Sequence, residues 1–286
     1  MLDNFQKLIS QALKEDDVFN DITSDLTITK NSIVTFEIAA REAIIFCGQD
    51  VILEVFSQLK KSSKFKNTQL ELDFFAQDGD FVKAKNPIIR GQGNAKLIFA
   101  GERVILNLIQ HLSGVATVTQ NFVKALNNKK ISLLDTRKTL PNLRALEKYA
   151  VACGGGKNHR FNLSEMILIK DNHIAAAGSV KNAITKAKKS ALKIEVECDN
   201  SAQVAEAVDA GCDVIMLDNM KIAEIKKSIA LIKKSHKKIL IEISGGVNIS
   251  NIKNFSKLEI DFISIGSLTH SARSVDIGLD IINEKK

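Results

Sequence analysis

Apolar residues recur at helical spacing through "MLDNFQKLISQALKEDD", at Phe5, Leu8, Ile9, Ala12 and Leu13, which predicts an amphipathic N-terminal helix. From about Ser32 to Leu97 the texture becomes short and β-rich. "SIVTFEIAA" and "TQLELDFFA" read as strands, "QDGD" as a turn, and "PIIRGQG" ends in glycines. One helical run, "GQDVILEVFSQLKK", lies among them. Together they predict a small α+β domain built on an antiparallel sheet. The next stretch, "AGERVILNLIQHLSGVATVTQNFVKALNN", is helical, with a break expected at Ser113-Gly114.

Beyond it, strand and helix alternate regularly. The strands are "ISLLD" (131–135), "MILIK" (166–170), "KIEVEC" (193–198), "DVIML" (213–217), "KILIEI" (238–243) and "FISIG" (262–266). The stretches "SVKNAITKAKKSA", "SAQVAEAVDAG" and "KIAEIKKSIALIKK" have helical periods and polar outer faces. Continuous apolar strands alternating with helices mean buried parallel β-structure. An open sheet gathers ligand groups at one switch point, whereas a barrel collects them from every strand into one mouth. Here nearly every strand ends in a polar group, so the pattern favours the barrel. Six strands rather than eight make it incomplete, unless a strand is hidden near 100–130. The fold class expected is therefore α/β, an incomplete (β/α) barrel at 111–286 beside a smaller α+β domain at 1–110, with the C-terminal tail able to pack back on the latter.

Composition narrows the function. With 286 residues and 45% hydrophobic content, the chain can bury a large core. Cys47, Cys153, Cys198 and Cys212 form no CxxC and no metal-like spacing, so they read as buried or free thiols of a reducing compartment. The N-terminus lacks the basic and apolar regions of a signal peptide, and no apolar run approaches the length of a membrane span. The expectation is a cytoplasmic protein with no membrane partner. The net charge of +7 comes mainly from lysines on outer helix faces; aromatic content is 5% with no tryptophan, which argues against nucleic acid. There are 33 lysines and seven arginines. Arginine is thus the residue to watch, because its planar fork grips carboxylate or phosphate as lysine cannot.

Three arginines fall in the most charged stretch, "DTRKTLPNLRALEKYAVACGGGKNHRFNLSEMILIKDNHI", which runs from Asp135 to Ile174. It gathers Arg137, Lys138, Arg144, Lys148, Lys157, His159, Arg160 and Lys170 around three glycines and an apolar strand. Like charges brought together cost energy unless something negative lies between them. Arranged as a ring of strand ends, the first two units supply positive groups, the next two supply Glu197 and Asp218, and the last two supply "SGG" (244–246) and "IGS" (265–267). A polycarboxylate would suit the first group and a hard cation such as Mg²⁺ the second. Phosphate would suit the glycine turns, where backbone N–H groups are exposed. Ordinary βα turns and helix N-caps are alternatives for the glycines and for the two acids. His111 and His173 read as structural.

The long motif, followed by "LIKDNHI", resembles the signature of the quinolinate phosphoribosyltransferase family, also called nicotinate-nucleotide pyrophosphorylase (carboxylating). "GERVILNLIQHLSGVAT", "IEVECDN", "VIMLDN", "EISGGV" and "ISIGSLTHS" are similar to further family segments in the same order. The resemblance covers nearly the whole chain, and the long motif is its specific part. It implies an N-terminal α/β sandwich and a barrel of fewer than eight strands. It also implies a homodimer with a site shared between subunits. The implied reaction joins quinolinate to phosphoribosyl pyrophosphate with Mg²⁺ and releases pyrophosphate and CO₂.

Carried over by position, the resemblance places Arg137, His159, Arg160 and Lys170 at the substrate carboxylates, with Arg103 reaching in from the partner. Lys138 and neighbouring Thr136 fall on the substrate and phosphate side. Glu197 and Asp218 fall near ribose and metal, directly or through bound phosphoribosyl pyrophosphate. Ser244, Gly245, Gly246, Gly266 and Ser267 fall on the phosphate loops, with His270 beside them. Lys138, Glu197 and Asp218 are the expected catalytic groups. Many relatives have glycine at Asn142 and asparagine at Gly246; asparagine tolerates positive φ nearly as glycine does, and Gly246 keeps the backbone N–H that phosphate needs.

Overall fold

A computed structural model describes residues 2–282. In chain order its helices and strands begin with α1 (Leu2–Glu15), α2 (Ile22–Thr27), β1 (Ile33–Ala40), β2 (Ile44–Ile45), α3 (Gln49–Lys61), β3 (Leu70–Phe74), β4 (Phe81–Val82), β5 (Pro87–Asn94) and α4 (Ala95–Leu126). They continue with β6 (Ser132–Leu134), α5 (Arg144–Cys153), β7 (Ile167–Ile169), α6 (Asp171–Ala177), α7 (Val180–Ala187), β8 (Ile194–Cys198) and α8 (Ser201–Ala210). The last are β9 (Val214–Asp218), α9 (Ile222–Lys234), β10 (Leu240–Ser244), β11 (Phe262–Ser264), α10 (Ser267–His270) and β12 (Ile277–Ile281).

These elements form two compact units, neither continuous in sequence. One comprises 1–120, 140–155 and 271–286; the other comprises 121–139 and 156–270. The expected boundary at 110/111 falls inside α4, which runs unbroken.

The first unit holds a four-stranded antiparallel sheet in the order β12-β1-β5-β3 and a two-stranded β2-β4 pair. Along β1, Phe36, Ile38 and Ala40 are buried while the residues between them are not, the two-residue period of a sheet with one wet face. The glycines of "PIIRGQG" do not end β5. A Cβ at Gly91 would stand 2.7 Å from the Phe36 ring and 2.6 Å from the Glu71 carbonyl, so glycine is needed for close approach within the strand. The same reason removes the expected break at Ser113-Gly114. A Cβ at Gly114 would meet the Arg273 carbonyl at 2.0 Å, so this glycine admits a neighbouring chain without bending the helix.

The second unit is built on six parallel strands in the order β6-β11-β10-β9-β8-β7. All six predicted strands are present. β6, the first of them in sequence, pairs with β11, the last, and β6 and β7 form the two edges. No hidden strand lies at 100–130, most of which is α4. At the N-terminal ends, the Asp213 and Asp261 carboxylates accept N–H bonds from Ile194 and Ile241 on neighbouring strands, each at 2.8 Å. These bonds help fix the register. Asn200 caps α8 by accepting from Ala202 and Gln203, and Gly211 ends it with φ 78°. Neither Glu197 nor Asp218 caps a helix, since the N-cap residues of α8 and α9 are Asn200 and Lys221.

Candidate active site

A cavity of about 580 Å³ opens at the C-terminal ends of the parallel strands. Thr136, Arg137 and Lys138 reach it from the loop after β6, and His159 and Arg160 from the approach to β7. Lys170 follows β7, while Glu197 and Asp218 stand on β8 and β9. Ser244, Gly245 and Gly246 line it after β10; Gly266, Ser267 and His270 line it after β11. Every site residue expected from sequence is therefore in one place, with one exception. Arg103 is exposed on α4 in the first unit and does not line this cavity. Arg144 and Lys148 of the charged stretch also belong to that unit, on α5, and Lys148 is buried there.

Local structure explains how the positive groups are held. The buried Asp135 carboxylate accepts from the His159 N–H at 2.8 Å and from the Asn158 amide at 2.6 Å, fixing the turn that delivers His159. Lys157 extends the sheet beside β6 through its backbone, bonded to Leu133 and Asp135. Thr136 Oγ1 accepts from the Lys138 N–H at 3.0 Å, and the Thr269 hydroxyl donates to the Lys138 carbonyl at 2.7 Å. A Cβ at Gly266 would come within 2.9 Å of the Lys138 side chain, so glycine leaves room for that lysine.

His159 has a defined orientation. Its Nδ1 accepts the Arg160 N–H at 2.7 Å, which leaves Nε2 to carry the proton, 3.0 Å from Glu195 and 3.7 Å from Glu242. Both acids are 1% exposed. Burial, and then the neighbouring Glu195 charge, pushes the Glu242 carboxyl well above its usual range. Glu195 and Glu242 are the site residues that the sequence reading missed. The available signal was a glutamate at an interior position of an apolar strand. Glu195 precedes Glu197 by two, so both face one side of the sheet.

Arg137 and Arg160 stand close enough that burial and then the Arg137 charge lower the Arg160 pKa. Arg160 donates to the Met166 carbonyl at 3.0 Å. The Nε of each arginine is buried with no acceptor within hydrogen-bonding distance among the described residues. Two such donors side by side make a site for an anion with several oxygens.

Lys170 forms an ion pair with Glu197, which already offsets that acid's charge. The Asp218 Oδ2 accepts from the Asn219 amide. Gly245 and Gly246 have φ of 82° and 64°; a Cβ at Gly245 would lie 2.2 Å from the Asn219 side chain. Gly246 has nothing within 4 Å of that position, and Asn142 has φ 66°, so the departures at 246 and 142 fit their backbones. His173 caps α6, its Nδ1 accepting the Lys170 N–H, and His111 bonds Glu147 at 2.8 Å. Both are structural.

Comparison with known proteins agrees with this layout. The chain matches the quinolinate phosphoribosyl transferase N-terminal domain over residues 21–113 and the C-terminal domain over residues 115–280. It is 42% identical to a probable nicotinate-nucleotide pyrophosphorylase (carboxylating) of Methanocaldococcus jannaschii, over 96% of each chain. It is also 42% identical to the corresponding Bacillus subtilis protein, over 96% of this chain and 93% of that one. Among solved structures, the nicotinate-nucleotide pyrophosphorylase of Francisella tularensis superposes with a TM-score of 0.90 at 38% identity, covering 98% of this chain and 96% of that one. Matched along both domains, the chain belongs to the quinolinate phosphoribosyl transferase family.

Proposed function

We propose that the protein transfers phosphoribosyl from phosphoribosyl pyrophosphate to quinolinate with decarboxylation. The products are nicotinate mononucleotide, pyrophosphate and CO₂, on the route that builds NAD de novo. The observation that carries this reading is the pair of half-buried arginines, Arg137 and Arg160, whose buried Nε donors lack acceptors among the described residues at a cavity of about 580 Å³. A pyridine bearing two adjacent carboxylates supplies both the charge and the acceptors.

Arg137 and Arg160 hold the dianion, with Lys170 at the cavity rim. His159 is positioned by Glu195, and its ring forms part of the wall. The "SGG" and "IGS" turns, with Lys138, take the phosphate end. Glu197 and Asp218 lie between the two and offer hard carboxylate oxygens, a donor set that fits Mg²⁺. When bound, Mg²⁺ neutralises charge on the departing pyrophosphate. The same acids stabilise positive charge on the ribose as the ring nitrogen attacks C1. Once the nitrogen is quaternary, its positive charge stabilises the electron pair that CO₂ leaves on the neighbouring carbon, and a proton from solvent then completes that carbon, so no acid-base side chain is required for that step. The protein contributes positioning and electrostatics.

We read the six-stranded sheet as an incomplete barrel and the active form as a homodimer in which Arg103 of each subunit completes the partner's site. Mixing Arg103→Ala subunits with Arg137→Ala subunits tests the sharing. A shared site regains activity in the mixture, and a site complete within one subunit does not.

Substrate choice tests the chemistry. Nicotinate lacks the 2-carboxylate and leaves the arginine pair partly unmatched, so it should be a poor substrate. Equal turnover of nicotinate and quinolinate would contradict the proposed site.

A further inference from the structure

In the first unit, Cys47, Asp78 and Cys153 bring their ligand atoms within 4.8 Å of one another. This cluster plays no part in the chemistry above. Cys47 is wholly buried between β2 and α3, its backbone held by Ser113, whose Oγ accepts the Cys47 N–H at 3.0 Å. Cys153 ends α5 and is partly exposed. Tyr149 lies one helical turn before it.

Three donors already occupy the Asp78 carboxylate. Gly48 and Gln49 donate N–H bonds at 2.7 and 3.0 Å to Oδ1, and the Tyr149 hydroxyl donates at 2.8 Å to Oδ2. Asp78 thus serves the start of α3 and is poorly suited to hold a metal. What remains is two thiols in contact range, one sheltered and one accessible.

We propose that Cys47 and Cys153 are a reversible redox pair, in which Cys153 reacts with oxidant first and Cys47 resolves the adduct. The oxidant class is a small disulfide such as oxidised glutathione. The Cys153 thiolate attacks one of its sulfurs, forming a mixed disulfide and releasing one glutathione thiolate. Cys47 then attacks the Cys153 sulfur, its proton passing to the second departing glutathione thiolate. The protein pair loses two electrons, and the small disulfide is reduced to two thiols.

The four cysteines differ in reactivity. Hydrogen bonding from Cys47 lowers the Cys153 pKa despite its partial burial. Burial pushes the Cys198 thiol up, and pushes Cys212 up to about 12, so neither starts the exchange. Cys47 is raised as well, first by its hydrogen bond to Cys153 and then by burial, so it stays a thiol until Cys153 is held in the mixed disulfide and that hydrogen bond is gone.

The test is non-reducing peptide mapping by mass spectrometry of the intact protein after incubation with oxidised glutathione. The expected result is loss of two of the four free thiols, recovered as one linked peptide pair containing Cys47 and Cys153 and reversed by dithiothreitol. Cys47→Ser should stop the reaction at a glutathione adduct on Cys153, and Cys153→Ser should leave Cys47 unmodified. The wild-type map stands even where a variant folds poorly. Cys47 remaining free in oxidised wild type would overturn the proposal, as would equal modification of Cys212 and Cys153. Tightly bound zinc shielding both thiols would overturn it too.

Discussion

In the four-stranded antiparallel sheet, charge stays on the wet side. Arg90 pairs with Glu37 across β5 and β1 at 2.7 Å, and Arg41 meets Asp280 at 3.6 Å, with both arginines about half exposed. In the six-stranded parallel sheet, charge goes inside. Glu195 and Glu242 stand on β8 and β10 at 1% exposure, with His159 between them and the arginine pair at the cavity. A surface pair is worth little, whereas a buried charge is costly unless it is matched. In this sheet the interior charges stand behind a histidine that lines the cavity, so here they mark the site.

The largest effect expected from breaking the buried group is His159→Ala. It leaves two adjacent buried acids without their shared imidazole, at a cost of about 3–5 kcal/mol, read as a drop in the urea midpoint. An unchanged midpoint would mean that the acids are satisfied elsewhere. Next comes Arg137→Ala, expected to lower kcat/KM for quinolinate by roughly 10²-fold, about 3 kcal/mol of charge-assisted binding. Steady-state kinetics near wild type would remove Arg137 from the site.

A smaller effect is in pH. The folded state holds a proton on Glu242 above the ordinary carboxyl range, where the unfolded chain has lost it. Stability is then greatest below that window and falls as pH rises through it, by at most about 1.4 kcal/mol per unit. Glu242→Gln should flatten this slope in urea titrations across weakly acidic pH; an unaltered slope would assign it to another group. The smallest effect is Arg90→Ala on the antiparallel sheet, below about 1 kcal/mol. A larger loss there would erase the contrast between the sheets.

Much of this was legible in the sequence, for physical reasons. The six buried parallel strands announce themselves as apolar runs, and their polar ends mark the cavity. Arginine among so many lysines pointed to Arg137 and Arg160, because only guanidinium offers a fork worth burying. Glycine misled once. At Gly114 it reads as a break, yet it admits a close neighbour beside a continuous helix, and only the tertiary fold reveals that neighbour. Glu195 and Glu242 were hidden for a related reason. Their significance depends on His159, which is distant in sequence and reaches them through a turn fixed by Asp135. Arg103 lies outside the cavity lining and carries its expected role only in the proposed dimer.

The most direct test of the central claim is release of labelled CO₂ from quinolinate carrying radiocarbon in its 2-carboxylate, with phosphoribosyl pyrophosphate and Mg²⁺ present and with each omitted in turn. The account predicts release only when both are present, and its loss in Arg137→Ala. No release from well-folded protein, or release that ignores phosphoribosyl pyrophosphate, would contradict it.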